Sequence, residues 1–149
     1  MATDSLPYVD EHTIVIAAGA DHVWRGLGET LDGTFSGPGA SRYTRLIGAT
    51  DTTRSGPRPI AEGSTFPGFR VVSAVPGHEL ALEGRHRFST YALIFRFEPA
   101  GPGATLLRAE TRAVFPGPAG AVYRGLVIGT RGHVWGMRRM LAGVRRRSV

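Results

Sequence analysis

His133 sits in "RGHVWGMRRML", where apolar residues recur at helical spacing. An imidazole titrates near neutrality, so on the inner side of a helix it would act as general acid or base toward a bound molecule. The plainer alternative is a core histidine bonded to a backbone carbonyl or an inward tyrosine. Tyr91, in "STYALIFRFEP", falls on the inward face of a strand, where its hydroxyl would orient a carbonyl or donate a proton. Arg85 and Arg87 continue that face toward the start of the strand and would hold a carboxylate, a phosphopantetheine or an enolate. Thr111 would add a hydrogen bond at a cavity wall. Phe66 and Phe69 flank the Pro67-Gly68 turn and would line an entrance. Phe95, two positions along the Tyr91 face from Leu93, and Met137, on the helical stripe, would supply apolar contact. His78 and His86 lie near the arginines but lack a carboxylate geometry, so no metal site is expected.

Composition removes whole classes of chemistry. All eighteen basic residues are arginine, and lysine, asparagine, glutamine and cysteine are absent, a bias that GC-rich codon usage explains. Without lysine there is no Schiff base and no GxxxxGK[ST] phosphate loop. Without cysteine there is no thiol nucleophile, disulfide or thiolate metal site. No GxSxG elbow occurs, Ser89 has no evident base partner, and no GxGxxG follows a strand. No cofactor is implied. The net charge of +6 rests largely on the terminal "RRR" and scattered arginines. No stacking motif accompanies them, so a solvated, helix-ending cluster is expected rather than nucleic-acid binding. The acidic N-terminus carries no apolar run and no segment is long enough to span a bilayer, so a cytoplasmic chain without membrane insertion is expected.

These side chains need a frame. The length suits one domain over 1–149, with a tail at 1–8 and an arginine-rich tail at 145–149. Val9–Ala17 reads as a strand, and Asp21 opens a helix through "DHVWRGLGETL". "DGTFSGPGA" reads as a loop, "SRYTRLIG" as a short helix, and Thr50–Glu62 as a mobile loop. Strands follow in "STFPGFRVVSAV", "HELALEG", "RHRFSTYALIFRFEP" and "ATLLRAETRAVF". Alternation puts Tyr91, Leu93, Phe95 and Phe97 inward, together with Leu107, Ala109, Thr111, Ala113 and Phe115. Arg96, Glu98, Arg108, Glu110 and Arg112 then face water. A last helix from Pro118 draws a stripe through Ala119, Val122, Leu126, Thr130, His133, Met137, Met140, Leu141 and Val144. Within it Gly125, Gly129, Gly132, Gly136 and Gly143 each cost up to about 1 kcal/mol. Either burial offsets that cost or the helix breaks between Gly129 and Gly132. Trp24 would pack the first helix on the sheet. Trp135 projects opposite the stripe, toward the N-terminal segment or a homodimer contact.

The β-α-α-β-β-β-β-β-α order, the opening "AAGADHVWRGL" and the pair "STYALIFRFEPAGPGATLLRAETRAVF" and "RGHVWGMRRML" resemble the START-like, Bet v 1-like helix-grip superfamily. That group includes polyketide cyclase/dehydrases and lipid-transfer domains; the likeness extends to domains appended to nucleotide-sugar-epimerase-like proteins. It covers nearly the whole chain. The resemblance implies an α+β fold with a curved antiparallel sheet around a long C-terminal helix and an apolar pocket between them. It implies either binding of a hydrophobic small molecule, one attached to a carrier protein included, or cyclisation and dehydration of a poly-β-keto chain. No shared catalytic triad comes with it. The expectation is a cyclase/dehydratase-type enzyme of bacterial secondary metabolism in which Tyr91 and His133 handle protons. A carrier or sensor with the same pocket is the alternative, and a filled-core interaction protein the third.

Overall fold

A computed structural model describes residues 5–35, 38–129 and 131–149. In chain order the elements are β1 (Tyr8–Ile16), α1 (Ala20–Phe35), α2 (Pro38–Leu46), β2 (Thr65–Phe66), β3 (Phe69–Val75), β4 (Glu79–His86), β5 (Ser89–Pro99), β6 (Thr105–Val114), α3 (Gly117–Arg124), a π-helical turn (Gly125–Gly129) and α4 (Gly132–Ser148). The strands form one antiparallel sheet in the order β1-β6-β5-β4-β3-β2. Its concave face meets α1 and α4. Each strand buries alternate residues there, so Ile16, Leu80, Leu82, Phe95, Leu107 and Ala109 share a core with Leu27 and Leu31 of α1 and with Met137, Leu141 and Val144 of α4. α1 and α4 cross closely because Gly26 has no side chain: a Cβ there would meet the Ser148 hydroxyl at 2.5 Å.

Several boundaries differ from the sequence reading. α1 continues through "DGTF" to Phe35, because Phe35 packs on Phe66 and Phe69 and holds the last turn. Arg85 is not in the Tyr91 strand. β4 runs to His86 and turns at Arg87-Phe88 into β5, so the expected long strand is a hairpin. The set read as water-facing is an ion-pair ladder on the convex face. Glu110 is only 8% exposed and takes Arg112 at 2.8 Å and Arg96 at 3.6 Å, while Arg108 bridges Glu11 and Glu98.

The last helix is broken. α3 passes into the π turn, and Arg131 adopts a left-handed conformation (φ 62°) before α4 begins. Leu126 and Val122 are about two-thirds exposed, and Ala119 is also outside the core. The inward stripe is therefore confined to α4, with His133, Met137, Met140, Leu141 and Val144. Thr130 lies outside the described residues. The π turn and the left-handed Arg131 interrupt the helical repeat between α3 and α4, so one projection could not describe both.

Thr50–Glu62 is coil, tied to the body by charge. Asp32 of α1 receives Arg54 Nε at 2.8 Å and Arg58 Nη2 at 3.1 Å, and the Arg58 guanidinium lies 4.8 Å over the Phe66 ring. Burial alone would raise the Asp32 pKa, but the two guanidinium hydrogen bonds and their charges hold it below its usual 3.8. A folded-state pKa below the unfolded one adds stability above pH 3.8 that disappears as pH falls through the folded value. Asp32→Asn should therefore cost about 1–2 kcal/mol at neutral pH and flatten the acid limb of the stability curve. Amide exchange should rise specifically across 50–62. Unchanged exchange there would show that the ion pairs do not hold the loop.

Candidate functional site

The core does not fill the space under the sheet. A cavity of about 390 Å³ opens between the distal halves of β5 and β6, α2, and the α3–π–α4 arm. The small side chains Thr111 and Ala113 leave the room, and Phe69, Phe115, Val127, Ile128 and Met140 make the wall predominantly apolar. Val127 and Ile128 come from the π turn. A wider turn displaces side chains from the regular helical path, so the feature that broke the expected stripe also supplies one wall.

Of the residues expected to form the site, Tyr91, Thr111, His133, Phe69 and Met137 line this cavity. Phe66 and Phe95 do not; at 1% and 0% exposure they belong to the core beneath it. Arg85 and Arg87 are also outside. Both are exposed at the β4–β5 hairpin. There the Arg85 carbonyl accepts from the Thr50 N–H, and the Arg87 side chain passes over Gly48. Their backbone contacts dock the segment after α2; no anion-holding position results.

Polar groups gather at two stations. The first is built on Asp10, which sequence reasoning passed over. Its carboxylate takes one imidazole on each oxygen: His133 Nε2 at 3.2 Å and His12 Nε2 at 3.1 Å. His133 Nε2 also lies 3.1 Å from the Thr111 hydroxyl. With its Nε2 proton directed to the carboxylate, His133 keeps Nδ1 as a proton acceptor. Strand geometry explains the cluster. Asp10 and His12 share a face of β1, and the β1–β6 register puts Asp10 opposite Thr111. The alternation in "YVDEHTIVI" carried that signal; contact with His133, 123 residues away, did not follow from it.

The second station is aromatic. His86 lies edge-on to Tyr123 (centroids 4.9 Å apart) and 5.4 Å from Tyr91, while Tyr123 stacks on Phe88 at 5.6 Å. The Phe88 N–H donates to His86 Nδ1 at 3.1 Å, so the neutral ring carries its proton on Nε2. Burial lowers the His86 pKa, which keeps that neutral form at pH 7. Among the described residues nothing hydrogen-bonds Nε2, leaving one N–H donor at the cavity wall. Tyr91 donates its hydroxyl to the Gly68 carbonyl, and burial raises its pKa. The Tyr43 and Tyr123 hydroxyls meet at 3.1 Å, joining α2 to α3 across the cavity. His86 is level with Ser89, and Thr111 is opposite Leu93, four residues further along β5. The stations are therefore roughly 13 Å apart along the strand. Among the described residues, no group of three or more potential metal ligands is placed to hold an ion, and no helix is long and apolar enough to cross a membrane.

No protein-family model matches the chain, and no curated protein sequence matches it. Solved structures do. The Zhui aromatase/cyclase from Streptomyces sp. R1128 superposes with a TM-score of 0.58 at 16% identity, over 97% of this chain and 96% of that one. A truncated norcoclaurine synthase from Thalictrum flavum gives 0.56 at 14%, over 95% of both. A Rhizobium loti protein gives 0.56 at 16%, over 96% of this chain and 99% of its own. At such identities the likeness is one of architecture: a sheet curved around a C-terminal helix, end to end.

Proposed function

We propose that this chain, a helix-grip protein of the START/Bet v 1 fold, binds an elongated, largely apolar, oxygen-bearing molecule of polyketide-like type and acts on it by proton transfer. The observation that carries the reading is the pair of imidazoles at opposite ends of one apolar cavity, each with a different job. The neutral His86 offers Nε2–H to an acceptor oxygen, and His133, backed by Asp10, offers a base. The four-residue offset of the two stations along β5, roughly 13 Å, favours an elongated substrate. Apolar walls fold such a chain and supply orientation, which accelerates ring closure without a strong nucleophile. In the cyclase/dehydratase version, His133 Nδ1 removes a proton from a carbon between two carbonyls. The resulting enolate carbon attacks a further carbonyl and closes the ring, the imidazolium returns the proton to the new alkoxide, and loss of that hydroxyl with the remaining α-proton, as water, forms the ring double bond. The aromatase/cyclase among the structural neighbours supports this version by analogy of fold.

A carrier or sensor is the second reading, and Tyr91 favours it. The Tyr91 hydroxyl proton is already given to Gly68, and its raised pKa makes it a poor acid at neutral pH. It serves as an acceptor or a wall, which leaves one fewer proton-transfer group than expected.

Native mass spectrometry of freshly purified protein, followed by incubation of the recovered molecule with wild type and His133→Ala, separates the two. The enzyme reading expects a product whose rate falls about 10²–10⁴-fold in His133→Ala, with affinity held within a few-fold. Binding with no conversion by wild type leaves the carrier. An empty, non-binding cavity removes both.

A further inference from the structure

The excess positive charge of this protein lies in one arm. From Phe115 onward there are seven arginines and no acidic residue, whereas the preceding 114 residues carry eleven arginines against twelve acids. In the body, seven arginines are ion-paired among the described residues (Arg25 and Arg54 are examples). In the arm, no arginine lies within ion-pair distance of a described carboxylate. Arg124 and Arg139 rest on the Phe115 and Trp135 rings, and Arg147 reaches the Thr30 hydroxyl at 3.4 Å.

On α4 this charge forms a face. At 100° per residue, Trp135, Arg139 and Arg146 project opposite the buried Met137, Leu141 and Val144, and Arg138 and Arg145 lie on the flank of the helix toward β1, bordering a groove with Glu11 and His12. All five are exposed, and Trp135 stands 65% in solvent at the middle of the arginines. Two more exposed apolar residues, Val122 and Val149, belong to the same arm. Unpaired guanidiniums around an outward indole match an interface with anionic headgroups: arginine binds phosphate through paired N–H groups, while the indole enters the headgroup boundary.

We infer that the outer face of α4 is a docking surface for anionic phospholipid, holding the protein flat on a membrane while the opposite side of the helix closes the cavity. The contact is peripheral. Each arginine near such a surface strengthens binding about 5-fold, and the attraction decays over a Debye length. The inference does not depend on what the cavity holds.

Co-sedimentation of the full chain with phosphatidylcholine vesicles, and with three-to-one phosphatidylcholine:phosphatidylglycerol vesicles, tests it. Partition into the anionic vesicles alone, falling steeply with added salt, is expected, together with a blue shift of tryptophan emission that Trp135→Ala removes. Arg139→Gln combined with Arg146→Gln should lower the partition about 30-fold, with an unchanged circular-dichroism melt. Equal binding to both vesicles, or full binding by the double variant, overturns the proposal. So does adsorption to duplex DNA or polyglutamate with none on vesicles, which would make the face a contact for another polyanion.

Discussion

Gly84→Ala should lower the unfolding free energy by about 3 kcal/mol, among the most damaging single-methyl additions available in this chain. Gly84 pairs directly with Tyr91 across β4 and β5. The Tyr91 ring lies over the bare glycine, and from there its hydroxyl reaches the Gly68 carbonyl. A Cβ at Gly84 would sit well inside 3.0 Å of both the Tyr91 ring and the Gly68 oxygen. Neither can yield cheaply. One is a ring wedged against Phe69 and His86, the other is backbone in the β2–β3 turn. The change therefore strikes stability and the cavity's aromatic station together. Denaturant unfolding should show a lower midpoint with an unchanged slope, and an unshifted midpoint would mean that the ring does not lie where the structure puts it.

Gly136 predicts the opposite. It lies inside α4 on the cavity side, and a Cβ there meets nothing within 4 Å. Gly136→Ala should stabilise the fold by about 1 kcal/mol, because a helix-interior glycine loses backbone freedom that alanine never had. Gly136→Leu keeps the helical gain but directs a branched side chain into the space a ligand would use. Overpacking of about 1–3 kcal/mol in the complex corresponds to a loss of roughly 10–100-fold in affinity. Titration with anilinonaphthalene sulfonate, or with the molecule recovered by mass spectrometry, reads the loss, and thermal unfolding reads the gain. If the leucine variant binds the probe as wild type does, the cavity is not the binding site.

The two glycines show where local reading stops. Both were visible as glycines, and Gly136 was counted as a cost to the terminal helix. Nothing in the neighbouring residues distinguished one that makes room for a ring from one that faces empty space. That distinction belongs to side chains arriving from other elements.

Strand alternation in β5 and β6 placed Tyr91 and Thr111 correctly, because a period of two depends only on neighbouring residues. Helical spacing likewise placed His133 and Met137 on the inner side of α4. The errors have equally local causes. The hairpin at Arg87-Phe88 lacks the glycine or proline that marked the other turns, so Arg85 and Arg87 were assigned to the wrong strand and the wrong side. Phe66 and Phe95 alternate inward as expected, but facing the concave side does not tell core from cavity. That depends on which helix covers each stretch of sheet.

By itself the sequence determined most element types and inward faces and showed the concentration of arginine at the C-terminus, while its resemblance to the helix-grip superfamily implied the architecture. Periodicity and composition are properties of adjacent residues, so they need no folded chain to be read. Tertiary structure alone decided that the last helix is interrupted by a π turn at Gly125–Gly129, that Asp10 stands between two histidines, and that among the described residues nothing hydrogen-bonds His86 Nε2 at the cavity wall. Each of these rests on contacts between residues far apart in the chain. Such contacts exist only once the sheet has curved and α4 has closed on it.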